Sequence, residues 1–224
     1  MAYRFQPNPY YRGSAAQVNT RSLLGQVLGL TALGMCLTAL GVYLFPNVDF
    51  GVSRIAFFAS FVLLIIMQFV RQNGPLALVM FYAFTFLEGI FLSPIVGYYA
   101  HTAGNDVVFN AALTTGLGMF ALGAIVYATG LDLRRFQGIF LIALLALVVI
   151  GIISFWVHII SPTAYSWGVL IIFTGLVLID FARLRAGGDG LTPVQMAVSI
   201  YLDAINIFLA ILQLTGGGGR RSND

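Results

Sequence analysis

Asp180 and Asp203 are carboxylates set in stretches otherwise built almost entirely of apolar residues. A charge in hydrocarbon is costly, so an acid in such a place is held against a partner or lines a water-filled path. The two stretches follow one another across a short loop, which allows the carboxyls to meet. At close range both cannot readily ionise in a low dielectric, so they would share a proton and titrate as one unit. A pair of this kind senses pH, or holds a hard cation such as Ca²⁺ through its oxygens. The plainer alternative is that each Asp hydrogen-bonds its helix neighbours and pins the packing.

Three further polar residues belong to the same argument. Arg71 ends the second apolar stretch on the side of the membrane expected for Asp180, where it can latch onto that carboxyl. It also reads as an ordinary arginine of the positive-inside kind. Glu88, within Thr85-Phe86-Leu87-Glu88-Gly89-Ile90, lies about 20 Å beyond Pro75 at ~1.5 Å per helical residue. It either lines a cation or proton path or stays protonated and hydrogen-bonded. Asn206 follows Asp203 by three residues and shares its helical face. No His, Cys or carboxylate spacing suggests zinc, and no Walker-type phosphate loop occurs. Cys36, the one cysteine, reads as a small core hydrophobe.

The elements that must position these groups are membrane spans. Hydrophobic residues make up 59% of the chain and charged ones 8%, too little charge to cover a water-soluble surface. Mean hydropathy is +0.93. A span needs roughly 20 mainly apolar residues, and polar breaks leave seven of them, near 22–45, 52–70, 75–100, 107–130, 136–158, 164–184 and 192–214. Pro75 and Pro193 stand where a first helical turn tolerates proline, and Thr192 is placed to cap the seventh span. Gly25 and Gly29, and Gly116, Gly118 and Gly123, read as small-residue contact faces. Residues 1–21 read as a disordered polar tail and 215–224 as a flexible glycine-rich one, flanking a single membrane domain over 22–214.

The basic charge is all arginine, scattered at span ends rather than gathered into a stripe, which excludes a nucleic-acid footprint. The bias of those arginines places the N-terminus in the cytoplasm, with Arg220 and Arg221 dissenting in the tail.

The seventh-span segment Tyr201-Leu202-Asp203-Ala204-Ile205-Asn206-Ile207-Phe208-Leu209 resembles the signature of the Bax inhibitor-1 family. Asp180, the Glu88-Gly89-Ile90 segment and Ser93-Pro94-Ile95-Val96 support the likeness, which runs from Arg21 to Leu214. The resemblance implies an all-α, seven-helix membrane bundle with the last helix central, in the bacterial inner membrane. It implies a pH-sensitive Ca²⁺ leak in which Asp180 and Asp203 form the proton-sensing dyad and Arg71 its latch. Some bacterial relatives carry a glutamate in the second span where this chain has Ser60, leaving that role open unless Glu88 fills it. Other members associate with a membrane-bound protease.

The expectation is therefore a non-enzymatic Ca²⁺ leak needing no cofactor, with Ca²⁺ as permeant or weakly bound ion and protons as regulator. A non-conducting regulator of a membrane protease or other membrane protein is the alternative. An intramembrane aspartyl protease also carries two aspartates on its sixth and seventh helices and uses a shared-proton dyad. Leu202 before Asp203, in place of glycine, and Ile179 before Asp180, in place of tyrosine, argue against it.

Overall fold

The computed structural model describes residues 20–46, 48–70, 74–157 and 159–217. Among them seven helices are long and apolar enough to cross a membrane. They are α1 (Thr20–Leu44), α2 (Phe50–Phe69), α3 (Pro75–Ala103), α4 (Asn105–Thr129), α5 (Gln137–Trp156), α6 (Pro162–Arg185) and α7 (Pro193–Gly217), with a 3₁₀ turn, Arg134–Phe136, before α5. The chain is an all-α integral membrane bundle.

The helix starts follow the local chemistry. Asp49 accepts from the Gly51 and Val52 amides at 2.5 and 3.1 Å, and Ser161 from the Ala164 amide at 3.2 Å ahead of Pro162. Thr192 and Gln195 cap α7 reciprocally: the Gln195 amide donates to the threonine hydroxyl at 3.2 Å, and the Thr192 amide to the glutamine carbonyl at 3.0 Å. Two orphan donors of the first turn are satisfied at once.

The seventh helix forms the centre. It packs against α6, α4, α1 and α3, whereas α2 leans on α3 and α5 leans on α6. Tyr201 of α7 is fully buried between the rings of Phe81 and Phe84, with centroids at 6.0 and 5.6 Å, and shares a 2.6 Å hydrogen bond with the Thr38 hydroxyl of α1. The α5 side chains Ile139, Ile142 and Leu145 are exposed, as befits a lipid-facing helix.

Lipid tails are as apolar as leucine, so helices associate in a bilayer through close packing. Gly41 of α1 and Gly89 of α3 meet in this way: a Cβ at Gly41 would lie 2.6 Å from the Phe86 carbonyl oxygen. Thr38 donates to the Thr85 carbonyl at 2.8 Å one turn away. At Gly41 and Gly89 the close neighbour is backbone rather than a side chain. Around Gly25, Gly29, Gly116 and Gly118 the space is open, against expectation, because no helix lies over those faces; Gly123 does meet a neighbour, the ring of Phe181. Cys36 is exposed on the outside of α1 rather than buried in the core.

Flanking α7, α1 and α4 do not pack on one another along their length. A groove of about 760 Å³ lies between them, floored by Ile200, Ala204 and Phe208 of α7.

Candidate functional site

The α6–α7 hairpin brings the two aspartates together. Both are buried, Asp180 with 5% and Asp203 with 4% of its surface exposed. Asp203 lies within electrostatic reach of both Asp180 and Arg183. The Ser199 hydroxyl of α7 approaches the Asp180 carboxyl, and near the other end of the hairpin Ser166 donates to the Gln213 side-chain carbonyl at 2.6 Å. These contacts fix a single antiparallel register that sets Asp180 level with Ser199, so Asp203 lies about one helical turn, ~6 Å, deeper along α7.

The carboxyls are unequally served. Arg183, one helical turn beyond Asp180, donates to its Oδ1 at 2.9 Å and to the Gln137 side-chain carbonyl at 2.7 Å. Asp180 Oδ2 and Asp203 Oδ2 are buried without a hydrogen-bond partner. Two carboxylates thus face one guanidinium, and each keeps an oxygen free. An unsatisfied buried oxygen of this kind is costly, and a proton or a passing cation between the two would relieve it.

An ionic chain leads outward from the pair. Arg183 Nε lies 3.8 Å from Asp189, Arg134 binds Asp189 at 2.8 Å, and Arg134 also binds Asp132 at 2.7 Å. At the exposed end, the hydrogen bonds from the Arg134 side chain and amide lower the Asp132 pKa from its ordinary 3.8 to about 2. A second approach comes from the same arginine-rich end of the bundle. A cavity of about 270 Å³ between α2, α3 and α7 is lined by Gln68, Val70, Gln195, Ser199 and Leu202. It reaches the residue that touches Asp180 and the residue before Asp203.

Glu88 stands apart from the dyad. It accepts from the Ser60 hydroxyl of α2 at 2.5 Å and acts electrostatically on Tyr201. Ser60 and Glu88 are thus brought together across α2 and α3. Asn206 shares the Asp203 side of α7, but its amide donates to the Leu202 carbonyl of its own helix at 2.8 Å. Phe81, Phe84 and Tyr201 pack ring against ring in the core, and Tyr201 is the member within electrostatic reach of Glu88.

Arg71 lies outside the described residues. The arginine that engages Asp180 is Arg183, three residues along the same helix, a position that the positive-inside bias alone explains as readily. Tyr201, Thr38 and Ser199 also lie outside the reach of a spacing argument, because hydroxyls in apolar helices carry no spacing signal of their own. Ca²⁺ takes six to eight oxygen ligands, and among the described residues no third carboxylate, His or Cys joins the aspartates in a metal-holding group. With a guanidinium already on Asp180, the two carboxyls by themselves supply fewer oxygens than a resident Ca²⁺ takes.

The family profile described as "Inhibitor of apoptosis-promoting Bax1" matches residues 20–220. An uncharacterized protein of Campylobacter jejuni is 29% identical over 91% of this chain and 94% of its own length. An uncharacterized membrane protein of Streptococcus pyogenes is 28% identical over 90% and 95%. The inner membrane protein YbhL of Escherichia coli is 24% identical over 88% and 92%.

Proposed function

The chain belongs to the Bax inhibitor-1 family, and from that premise we propose that it is a pH-sensitive leak for Ca²⁺ gated by Asp180 and Asp203. The observation that carries this reading is the pair of buried carboxyls on adjacent helices, of which an arginine binds only Asp180 and each of which has one oxygen without a hydrogen-bond partner. Carboxyls so placed titrate jointly. A change in their proton count alters how strongly they hold Arg183 and how strongly they attract a cation. Ca²⁺ is cargo that exchanges its hydration for these oxygens in passing.

The route runs from the cavity at Ser199, past the dyad, to Glu88 beside Ser60. On this reading the packed rings of Phe81, Phe84 and Tyr201 are the closed gate, and conduction needs α7 to shift against α3. A gap of a few kcal/mol between shut and open states is enough for a gate. Arg71 would act from the inner end of α2 as a second latch. The arginine-rich end faces the cytoplasm of a bacterium, with the N-terminus inside and the bundle in the inner membrane. The protein carries out no bond chemistry on this reading. An aspartyl-protease function is disfavoured by the arginine bound to Asp180, since a protease dyad keeps its carboxyls for a water and a peptide.

The test is Ca²⁺ flux into dye-loaded liposomes across a pH series. Wild type is expected to leak in a pH-dependent way and Asp203→Asn to lose that dependence. No flux above empty liposomes at any pH would overturn the channel. The closed aromatic core favours the second reading in that event, a non-conducting regulator bound to a membrane protease or another membrane protein. That role would survive neutralising both aspartates.

A further inference from the structure

We propose that the groove between α1 and α4 is a binding site for a phospholipid with an anionic headgroup, one acyl chain lying on α7 and the phosphate on Arg21 and Arg185. The groove is a feature of the membrane-spanning part: its walls are two spans, and its lining runs from Leu24 to Val42 along α1 and from Val108 to Tyr127 along α4. At ~1.5 Å per residue that is about 27 Å, close to the thickness of a bilayer's hydrocarbon core. A groove of that length exceeds one leaflet, so a chain entering at one end occupies the half it enters. The lining is almost wholly apolar, and its threonines are already engaged. Thr31 donates to the Val27 carbonyl, Thr38 to the Gly34 and Thr85 carbonyls, and Thr115 to the Ala111 carbonyl. No polar ligand is called for there; an alkyl chain is.

The charge selects the end. Arg21 lies on α1 one turn before Leu24, on the same helical face, and is exposed. Arg185 lies at the end of α6, where it donates to the Val126 and Gly130 carbonyls at 2.9 and 2.8 Å. A guanidinium has five donors, so others remain. Tyr127, which lines the groove, lies within its electrostatic reach. Among the described residues neither arginine forms an ion pair with a carboxylate. Asp132 feels the charge of Arg185 but is bound to Arg134. Two cations at the mouth of an alkyl-sized groove match a phosphate on a diacyl tail. The chain would touch Phe181, the residue after Asp180.

The full-length protein in phosphatidylcholine nanodiscs, doped with phosphatidylglycerol carrying a mid-chain diazirine, tests this by mapping the labelled residues. Labelling is expected to concentrate on groove residues such as Met35 and Met119 over the lipid-facing side of α5. A diazirine phosphatidylcholine should label the groove less. Arg21→Gln should lower the phosphatidylglycerol signal about five-fold, the equivalent of ~1 kcal/mol per basic residue near the surface. Gly116→Leu projects into open space in the groove and should bring labelling down to the α5 level, while Leu117→Phe on the outer face should not. Ala32→Leu, on the facing wall, repeats the test should Gly116→Leu fail to fold. Equal labelling of the groove and α5, or indifference to both filling variants, would overturn the site. Equal labelling by the two lipids would overturn the headgroup. A groove protected by cross-links between two copies would overturn it in favour of an interface.

Discussion

A carboxylate that keeps one oxygen bare inside a membrane protein is under tension that a single substitution can release or worsen. Asp180 is held by Arg183, with both side chains largely buried. Removing one partner of a buried pair leaves the other charge uncompensated. Arg183→Gln is therefore expected to lower unfolding stability by about 3 kcal/mol in detergent, read by denaturant titration. Asp180→Asn placed in that background should recover most of the loss, because the stranded charge is gone. Asp203 differs: no arginine binds it directly among the described residues, so Asp203→Asn is expected to be at least as stable as wild type while losing the pH response. A destabilised Asp203→Asn would mean that the carboxyl is a structural tie. The aspartates were legible in the sequence because hydrocarbon makes every acid conspicuous. Arg183 was not, because an arginine at a span end is so readily explained by the positive-inside bias that its neighbour one turn back is overlooked.

At the scale of elements, spans are legible and partners are not. Runs of apolar residues bounded by Pro75, Pro162 and Thr192-Pro193 placed the helices nearly where they lie. Which face meets which helix was hidden, because helices apolar on every side have no amphipathic stripe to point inward. The glycine pair that matters, Gly41 with Gly89, sits in different spans and forms no motif within either. Gly25 and Gly29 do form the motif and contact nothing. The α1–α3 contact is backbone against backbone, so Gly41→Ala must push the two helices apart. A loss of about 1–3 kcal/mol is expected, measured as a lower thermal midpoint, whereas Gly25→Ala should leave the midpoint unchanged. The capping box of α7 gives a milder expectation: Thr192→Ala should cost about 1 kcal/mol. Fraying should begin at the α7 end that leads to Ser199 and be visible as faster amide exchange there.

For the molecule as a whole, the arginine-rich end is a continuous ionic seam, Asp132 to Arg134 to Asp189 to Arg183 to Asp180, that joins the loops to the buried pair. Its exposed terminus fixes the sign of one pH effect. Asp132 has its folded pKa depressed to about 2 from 3.8, so its contribution is present above the unfolded value and fades as pH falls from about 4 through 2. Thermal midpoints followed over that window should drop more for wild type than for Asp132→Asn; equal slopes would show the seam to be slack. The seam was invisible in the sequence because it links two loops and one helix, the α4–α5 and α6–α7 connections and α6, whose proximity only the fold creates. The centrality of α7 has a consequence for how the molecule is made. The helix around which the other spans close emerges after six of them. Until it arrives, Tyr201 is missing from between Phe81 and Phe84, Thr38 lacks its partner hydroxyl, and Asp180 stands in the bilayer without Ser199. The first six spans are thus a nascent chain with an unfilled centre, exposed to the surveillance that removes unfinished membrane proteins. A ribosome stalled just before Pro193 would leave a product with the charges of this protein and nothing to enclose them.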